Sequence, residues 1–260
     1  MNFAQMGAER DTIETSEDAV LGGRLRLRQP KRGHRVGHDA ILLAAATGAR
    51  AGELAIDLGA GVGAAGLAMA ARVEGLMVTL VEIDPLLCQL AVDNARLNRL
   101  ETRVRVLVAD AENIAEAGLP QGCADRVLMN PPFNDAARQN VSPDPRRRLA
   151  HVSTPGLMAR WIATAAWLLK PQGMLTLIWR ADGLLEVLAS LKGEFGSIGV
   201  LPVFPRADAQ PIRVLVRAVK GGEAKPIDYP ALILNDDYGR PTAAVEAVLR
   251  GGETLRIAEL

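Results

Sequence analysis

Four consecutive residues near the middle of the chain, Asn130-Pro131-Pro132-Phe133, can hold and activate an amino group. The nitrogen of an aromatic amine or an amide is a poor nucleophile, because its lone pair is delocalised into the ring or the carbonyl. Hydrogen bonds from such an NH₂ group to the Asn130 side-chain oxygen and the Pro131 carbonyl would free that lone pair. Phe133 offers a flat face for stacking. Taken alone, the same residues also fit a turn that ends a strand.

A second candidate site is the glycine-rich sequence Asp57-Leu58-Gly59-Ala60-Gly61-Val62-Gly63, which includes the end of a short apolar run. Closely spaced glycines let the backbone turn sharply and approach a ligand, so this loop predicts a nucleotide-type cofactor. The segment from Gly61 to Gly66 also satisfies the GxGxxG pattern of dinucleotide-binding proteins, with the acid Glu82 about 20 residues further on. The loop alone therefore does not identify the cofactor.

Three acidic residues favour S-adenosylmethionine over a dinucleotide. Asp57 precedes the first glycine, where it can help to hold the loop and a cationic methionine end, whereas its charge would repel a pyrophosphate. Glu82 ends the second predicted strand and can accept both ribose hydroxyls. Asp110-Ala111 follows the third strand and can bind the adenine amino group, although Asp110 fits equally well as a helix cap. A dinucleotide-dependent oxidoreductase remains the alternative from a different functional class.

The elements that must position these residues follow an alternating pattern. From Leu54 onward, short apolar runs alternate with amphipathic stretches, which indicates β–α units and a mostly parallel sheet. The link Pro205–Pro211 is too short for a parallel crossover, so we expect the last strand to be antiparallel. The seven predicted strands are Leu54–Leu58, Met77–Glu82, Val104–Val108, Arg126–Asn130, Met174–Trp179, Gly199–Phe204 and Ile212–Val219.

Helices are predicted between and around these strands. A capping Asp84 followed by Pro85 begins one helix, whose leucines at 86, 87, 90 and 97 are expected to share a face with Ala91. The other predicted helices begin at Asp39, run from Thr154 through Leu169, and cover Pro241–Arg250.

The length of 260 residues, with 49% hydrophobic content, predicts a single domain. We divide it into an N-terminal basic strand and helix extension (residues 1–50), a core (51–220) and a C-terminal tail (221–260). No stretch is long and apolar enough for a membrane span, and residues 1–20 lack a signal-peptide pattern. These features predict a cytoplasmic protein without a membrane partner. Cys88 and Cys123 lack metal-ligand spacing, so no metal is expected.

Charge is balanced overall, with 30 basic and 30 acidic residues, so any nucleic-acid surface must be local. One local excess lies before the core, where six basic residues occur with no acid until Asp39 and alternate in part with Leu25 and Leu27. That alternation predicts a strand with a charged face. The run Arg146-Arg147-Arg148 is a second candidate, although a solvated loop explains it equally well. The first group comprises Arg24, Arg26, Arg28, Lys31, Arg32 and Arg35.

The chain resembles the bacterial tRNA adenine-N6 methyltransferases that modify the adenine beside the anticodon of a valine tRNA. The resemblance extends from about Asp18 to Gly252. It rests on four segments: Gln29-Pro30-Lys31-Arg32-Gly33-His34-Arg35-Val36-Gly37-His38-Asp39-Ala40-Ile41-Leu42-Leu43, Asp57-Leu58-Gly59-Ala60-Gly61, Val81-Glu82-Ile83-Asp84 and Asn130-Pro131-Pro132-Phe133.

The resemblance implies an α/β fold with a Rossmann-like, seven-stranded class I methyltransferase sheet, mostly parallel with an antiparallel last strand. It also implies that Asn130, Pro131, Pro132 and Phe133 hold the target amine, and that the turn from Val36 to Asp39 closes over the methionine end. The implied S-adenosylmethionine site comprises Gly37, His38, Asp57, Gly59, Ala60, Gly61, Glu82, Ile83, Asp110, Ala111 and Asn130.

Two departures from the family concern the substrate. His38 stands where threonine is usual, and Phe133 stands where tyrosine is commoner. The tetrapeptide is also shared with enzymes that methylate guanine in rRNA, adenine in DNA or glutamine in release factors. We therefore predict an S-adenosylmethionine-dependent N-methyltransferase acting on adenine in RNA, with tRNA as the expected partner and those three acceptors as alternatives. The two arginine groups are expected to contact the RNA backbone, and the oligomeric state stays open.

Overall fold

The computed structural model describes residues 14–32, 35–132 and 156–259. Two strands precede the main sheet, β1 (Thr15–Val20) and β2 (Leu25–Pro30), which pair with each other in antiparallel fashion. The main sheet then contains β3 (Leu54–Leu58), β4 (Met77–Glu82), β5 (Val104–Val108), β6 (Ala124–Met129), β7 (Leu169–Arg180), β8 (Phe195–Phe204), β9 (Arg213–Lys220), β10 (Ile227–Asp228) and β11 (Leu232–Ile233).

The order of strands across the main sheet is β10-β8-β9-β7-β6-β3-β4-β5, and β11 also pairs with β8. Strands β3 to β7 pair with one another in parallel. Strand β9 is antiparallel to both β7 and β8. The predicted seven-stranded, mostly parallel sheet with an antiparallel last strand is thus confirmed for β3 to β9. The two-residue strands β10 and β11 were not predicted, because so short a pairing leaves no periodic pattern.

The helices are α1 (His38–Ala46), α2 (Ala64–Arg72), α3 (Pro85–Leu97), α4 (Leu157–Leu168), α5 (Leu184–Leu191) and α6 (Ala243–Glu246). A 3₁₀ helix, Ala111–Ala117, follows β5, and a π-helical turn, Ala247–Gly251, continues α6. Helices α2 and α5 were not among the predicted helices. Within the described part of the chain, no helix is long and apolar enough to cross a membrane.

Helix α3 begins as predicted, because the Asp84 side chain accepts the Leu86 N–H at 2.8 Å and Pro85 opens the first turn. The predicted apolar face is only partly buried, since Ala91 is buried whereas Leu86 is 44% exposed. The residues that α3 buries are Cys88, Ala91, Asn94 and Ala95. Asn94 faces inward because strand β2 lies against this side of the helix.

Two asparagines of α3 hold the N-terminal hairpin in place. The Asn94 side chain accepts the Arg28 N–H at 2.6 Å and donates to the Arg28 carbonyl at 2.9 Å. Asn98 repeats this pair of hydrogen bonds with the backbone of Arg26, at 2.9 and 2.7 Å. The second edge of β2 is therefore satisfied by side chains that mimic a neighbouring strand. The predicted strand periodicity is confirmed, because Leu25 and Leu27 are buried and the intervening arginines are exposed.

The C-terminal segment packs against α1 and α2. The Arg72 guanidinium donates to the carbonyls of Val248, Gly252 and Glu253. The Leu255 N–H donates to the Ala45 carbonyl at 2.9 Å. Apolar side chains of the hairpin, the sheet and this segment belong to one buried cluster.

Candidate active site

Three of the residues singled out in the sequence, Asp57, Glu82 and Asn130, converge at the carboxyl ends of β3, β4 and β6, which are neighbours in the sheet. Leu58 pairs with Val81 on one side and with Met129 on the other. Glu82 and Asn130 each follow those partners directly, so they flank the start of the glycine loop. Ligands of open α/β sheets bind at this edge.

The glycine loop has the backbone conformation that its sequence predicts. Gly59, Gly61 and Gly63 have φ values of 68°, 57° and 87°, a region that side chains with a Cβ disfavour. A Cβ added to Gly59 would lie 2.5 Å from the ring of Trp161 on α4, whereas one added to Gly61 would meet no atom within 4 Å. The loop is therefore packed on one side and open on the other. Trp161 was missed in the sequence, because no local spacing connects it to the loop.

Asp57 lies beneath this loop and is 3% exposed. Its Oδ2 accepts the Gly66 N–H at 2.8 Å, which ties the end of β3 to the first turn of α2. Burial raises the pKa of Asp57 to about 7, with a further contribution from the charge of Glu82, against the lowering effect of the Gly66 hydrogen bond. Neither Asp57 nor Glu82 has a basic partner among the described residues.

Glu82 joins the loop to the beginning of α3. Its Oε2 accepts the Gly61 N–H at 2.9 Å and its Oε1 accepts the Asp84 N–H at 2.9 Å. Burial raises the pKa of Glu82, and these backbone hydrogen bonds oppose the rise. Each carboxylate oxygen has a second lone pair, so Glu82 can accept two further donors. The next residue, Ile83, is 43% exposed and offers an apolar surface beside that carboxylate.

Asp110 caps the 3₁₀ helix after β5, as one of the two interpretations of the sequence allowed. Its Oδ1 accepts the Glu112 N–H at 2.9 Å, and its Oδ2 accepts the Asn113 side-chain amide at 3.1 Å. Ala111 is buried, and its carbonyl accepts the Thr164 hydroxyl at 2.8 Å. Each Asp110 oxygen accepts one local donor and keeps a second lone pair, as each Glu82 oxygen does, so Asp110 can also accept a donor from a ligand.

Asn130 follows β6 and carries a buried acceptor with no partner. Its Oδ1 is buried and accepts no hydrogen bond from the described part of the protein. Leaving such an atom unpaired costs about 1–3 kcal/mol, and unpaired buried acceptors are uncommon in native structures. Pro131 is buried, Pro132 is half-buried, and Phe133 lies outside the described residues. The free oxygen of Asn130 is therefore suited to receive a donor from a ligand.

Gly37 and His38 also lie at this edge. Gly37 has an extended backbone and precedes α1, and His38 is the exposed first residue of that helix. The adjacent Asp39 forms an ion pair with Arg213 at 2.8 Å. Arg213 begins the antiparallel strand β9 and pairs with Arg180 at the carboxyl end of β7. The start of α1 is thus anchored at the carboxyl edge of the parallel strands.

The basic residues of the N-terminal hairpin are largely paired with acids. Glu17 forms ion pairs with Arg26 and Arg28. Asp18 pairs with Arg35 at 2.9 Å, and Glu14 lies 3.7 Å from Lys31. These acids precede the basic segment in the sequence and reach it across the hairpin.

Two members of the basic group have other surroundings. Arg24 donates to the carbonyls of Leu21 and Arg250, and Arg32 is exposed. The second arginine group, residues 146–148, lies outside the described residues.

The chain is similar to several known methyltransferases. A tRNA1(Val) (adenine(37)-N6)-methyltransferase of Porphyromonas gingivalis is 30% identical over 158 residues, which are 59% of this chain and 61% of that protein. A release factor glutamine methyltransferase of Chlorobaculum tepidum is 30% identical over 159 residues, 59% of this chain and 54% of that protein. The chain therefore matches less than two thirds of the length of either relative.

A solved structure and a family model extend the comparison. A protein from Agrobacterium tumefaciens, described as a predicted O-methyltransferase, superposes with a TM-score of 0.71 at 31% identity, covering 84% of this chain and 98% of that chain. The family model for the methyltransferase small domain matches residues 35–202, which is more than half of the sequence. The chain therefore belongs to the methyltransferase small domain family.

Proposed function

We propose that this protein transfers a methyl group from S-adenosylmethionine to the exocyclic amine of adenine in RNA, with tRNA as the substrate. The observation that carries the proposal is the buried, unpartnered Oδ1 of Asn130, which directly follows β6 beside the glycine loop and Glu82. An acceptor left free in a folded protein is suited to a donor that arrives with the substrate.

The residues of the glycine loop fit S-adenosylmethionine. Asp57 and Glu82 are buried acids without a basic partner among the described residues, and the space beside Gly61 is open. In the proposal, Glu82 accepts the ribose hydroxyls, Ile83 packs against the adenine ring, and Gly37 and His38 border the methionine end. Gly59, Ala60 and Gly61 form the loop that approaches the ligand, while Asp110 and Ala111 lie beside its adenine. When bound, the cofactor supplies a methyl group on a positively charged sulfur.

The protein's own part in the reaction is to orient and polarise the amine. One N–H of the target amine donates to Asn130 Oδ1 and the other to the Pro131 carbonyl, which favours a pyramidal nitrogen. The fixed φ of Pro132 restricts the backbone that follows that carbonyl, and Phe133 stacks on the base. The nitrogen releases a proton to water once the new bond has formed, so no strong general base is needed. A hydroxyl has only one hydrogen to donate, so two acceptors favour an amine over an oxygen nucleophile.

The choice of RNA is supported by the resemblance and by the Porphyromonas relative, whose name states a tRNA adenine as its target. The Chlorobaculum relative is named for a glutamine target, which makes protein glutamine the second candidate. In the proposal, Arg24, Arg26, Arg28, Lys31, Arg32 and Arg35, together with Arg146, Arg147 and Arg148, contact phosphates. A single domain located in the cytoplasm, where tRNA is modified, belongs to the same proposal.

The decisive experiment measures transfer of radiolabelled methyl from S-adenosylmethionine to fractionated tRNA, rRNA, DNA and protein. We expect label in tRNA, and N6-methyladenosine after digestion of that tRNA to nucleosides. Asn130→Ala serves as the inactive control at equal protein concentration. Label confined to a protein glutamine would contradict the nucleic-acid assignment and leave the chemistry of the amine site intact. Failure to transfer methyl to any fraction would contradict the proposal as a whole.

A further inference from the structure

An exposed tyrosine stands at the same edge of the sheet as Asn130. Tyr238 is 83% exposed, and it is the only exposed aromatic residue in the described part of the chain. The sequence has only nine aromatic residues, so a high aromatic content does not explain an exposed ring. Tyr238 therefore calls for a reason other than packing.

The turn that carries Tyr238 is held by several hydrogen bonds. Asp236 Oδ1 accepts the N–H groups of Tyr238 and Arg240, both at 2.9 Å. Asp236 Oδ2 accepts the Arg240 Nε–H at 3.1 Å, and an isolated bridge between Asn235 and Pro241 closes the turn. The Arg240 guanidinium lies 5.0 Å from the centre of the Tyr238 ring. The backbone of the turn is thus fixed by hydrogen bonds before any ligand binds, which lowers the entropic cost of ordering the turn on binding.

The strand pairings locate this turn relative to Asn130. Leu232 of β11 pairs in parallel with Val203 of β8, so β11 runs in the same direction as the core strands. The turn that follows β11 lies at the carboxyl edge, as Asn130 does after β6. Strands β7, β9 and β8 lie between them, which gives four spacings of about 4.8 Å, or roughly 19 Å. Tyr238 is too far away to touch the target base but close enough to touch the same RNA.

We propose that Tyr238 and Arg240 form a stacking surface for an unpaired base of the RNA substrate, separate from the target adenine. The inference rests on the proposed function. Aromatic rings and guanidinium planes are the groups on which proteins stack unpaired bases. The turn is not a phosphate site, because Asp236 and Asp237 more than balance the charge of Arg240. Recognition by stacking is therefore expected to be nearly independent of salt.

The test compares Tyr238→Ala with wild type on the tRNA fraction that wild type methylates. Loss of one stacked base is expected to raise both Kd and the KM for tRNA by about 5- to 100-fold, with kcat unchanged. Tyr238→Phe keeps the ring and should retain wild-type values. Met77→Ala is the matched control, because Met77 is 45% exposed at the opposite edge of the sheet, where β4 begins. Affinity for S-adenosylhomocysteine and the thermal unfolding midpoint verify that each variant is folded.

The salt dependence separates stacking from charge. The slope of log affinity against log salt should be the same for wild type and Tyr238→Ala, since the tyrosine ring binds a base and no phosphate. A smaller slope for the variant, or unchanged Kd and KM, would overturn the stacking surface while wild-type methylation of tRNA upholds the proposed function. If wild type methylates only protein glutamine, the proposed function fails and the RNA surface fails with it.

Discussion

The glycine loop and the N-terminal hairpin both stood out in the sequence by their charged residues, but these residues differ in burial and in their partners in the folded protein. At the loop, Asp57 and Glu82 are buried and bind only backbone N–H groups. In the hairpin, Arg26 and Arg28 are exposed, yet both pair with Glu17. Acids without basic partners remain available to a ligand, whereas paired arginines are partly neutralised. An isolated charge in the structure is thus better evidence of a binding site than a run of charges in the sequence.

The largest effect is expected at the amine site. Asn130→Ala removes an acceptor that matters most as the amine attacks, so kcat should fall by about 10²–10³. The affinity for S-adenosylhomocysteine should change little, and calorimetry provides that measurement. Near-normal turnover in the variant would contradict the role of Asn130. It would also show that a buried polar group without a protein partner does not by itself identify a binding site.

The next effect concerns the cofactor. Glu82→Ala removes the carboxylate assigned to the ribose hydroxyls and also frees the N–H groups of Gly61 and Asp84. We expect the affinity for S-adenosylhomocysteine to fall by roughly 2–4 kcal/mol, since one hydrogen bond to a charged group contributes about 1.5–3 kcal/mol. Glu82→Gln, which keeps one acceptor oxygen, should lose less. An unchanged affinity in Glu82→Ala would place the ribose elsewhere.

The pH dependence of stability tests the burial of Asp57. Its pKa is raised to about 7, above that of the unfolded chain, so ionisation is disfavoured in the folded protein. Wild type should therefore lose stability as pH rises from about 4 through 7 relative to Asp57→Asn, which keeps an acceptor for the Gly66 N–H. The free energy of unfolding that wild type loses relative to Asp57→Asn should reach at most about 4 kcal/mol and stay constant at higher pH. Denaturant unfolding without ligand measures this difference. If the free energies of unfolding of the two proteins had the same pH dependence, the raised pKa of Asp57 would be contradicted.

The smallest effect is expected for the ion pairs of the N-terminal hairpin. Glu17→Gln removes the acid that pairs with Arg26 and Arg28, so it should strengthen tRNA binding a few-fold at low salt. The slope of log affinity against log salt should become steeper by up to about 0.9 for each additional phosphate that the freed arginines bind. Reversal of Arg24, Arg26 and Arg28 to glutamate should weaken binding and flatten that slope. No change in either variant would show that the hairpin lies away from the RNA.

Part of this outcome could be predicted from local patterns. The apolar runs located β3, β4 and β5 to the residue, because a buried parallel strand is a short apolar segment between breakers. The predicted ends of β6 to β9 were less accurate. Strand β7 begins at Leu169 and β8 at Phe195, several residues before the predicted starts. There the ladder of backbone hydrogen bonds continues through polar residues and glycines, which an apolar pattern does not reveal.

The sequence by itself determined that Asp57, Glu82 and Asn130 would lie at the carboxyl ends of strands, and that these strands would be parallel. Their convergence follows, because the carboxyl ends of neighbouring parallel strands share one edge. Only the tertiary structure decided which partner each group would meet. Glu17 lies opposite two arginines, and Asn94 pairs with the backbone of β2. Periodicity reports local backbone conformation and burial, whereas these partners depend on strand register and on contacts between residues far apart in the chain.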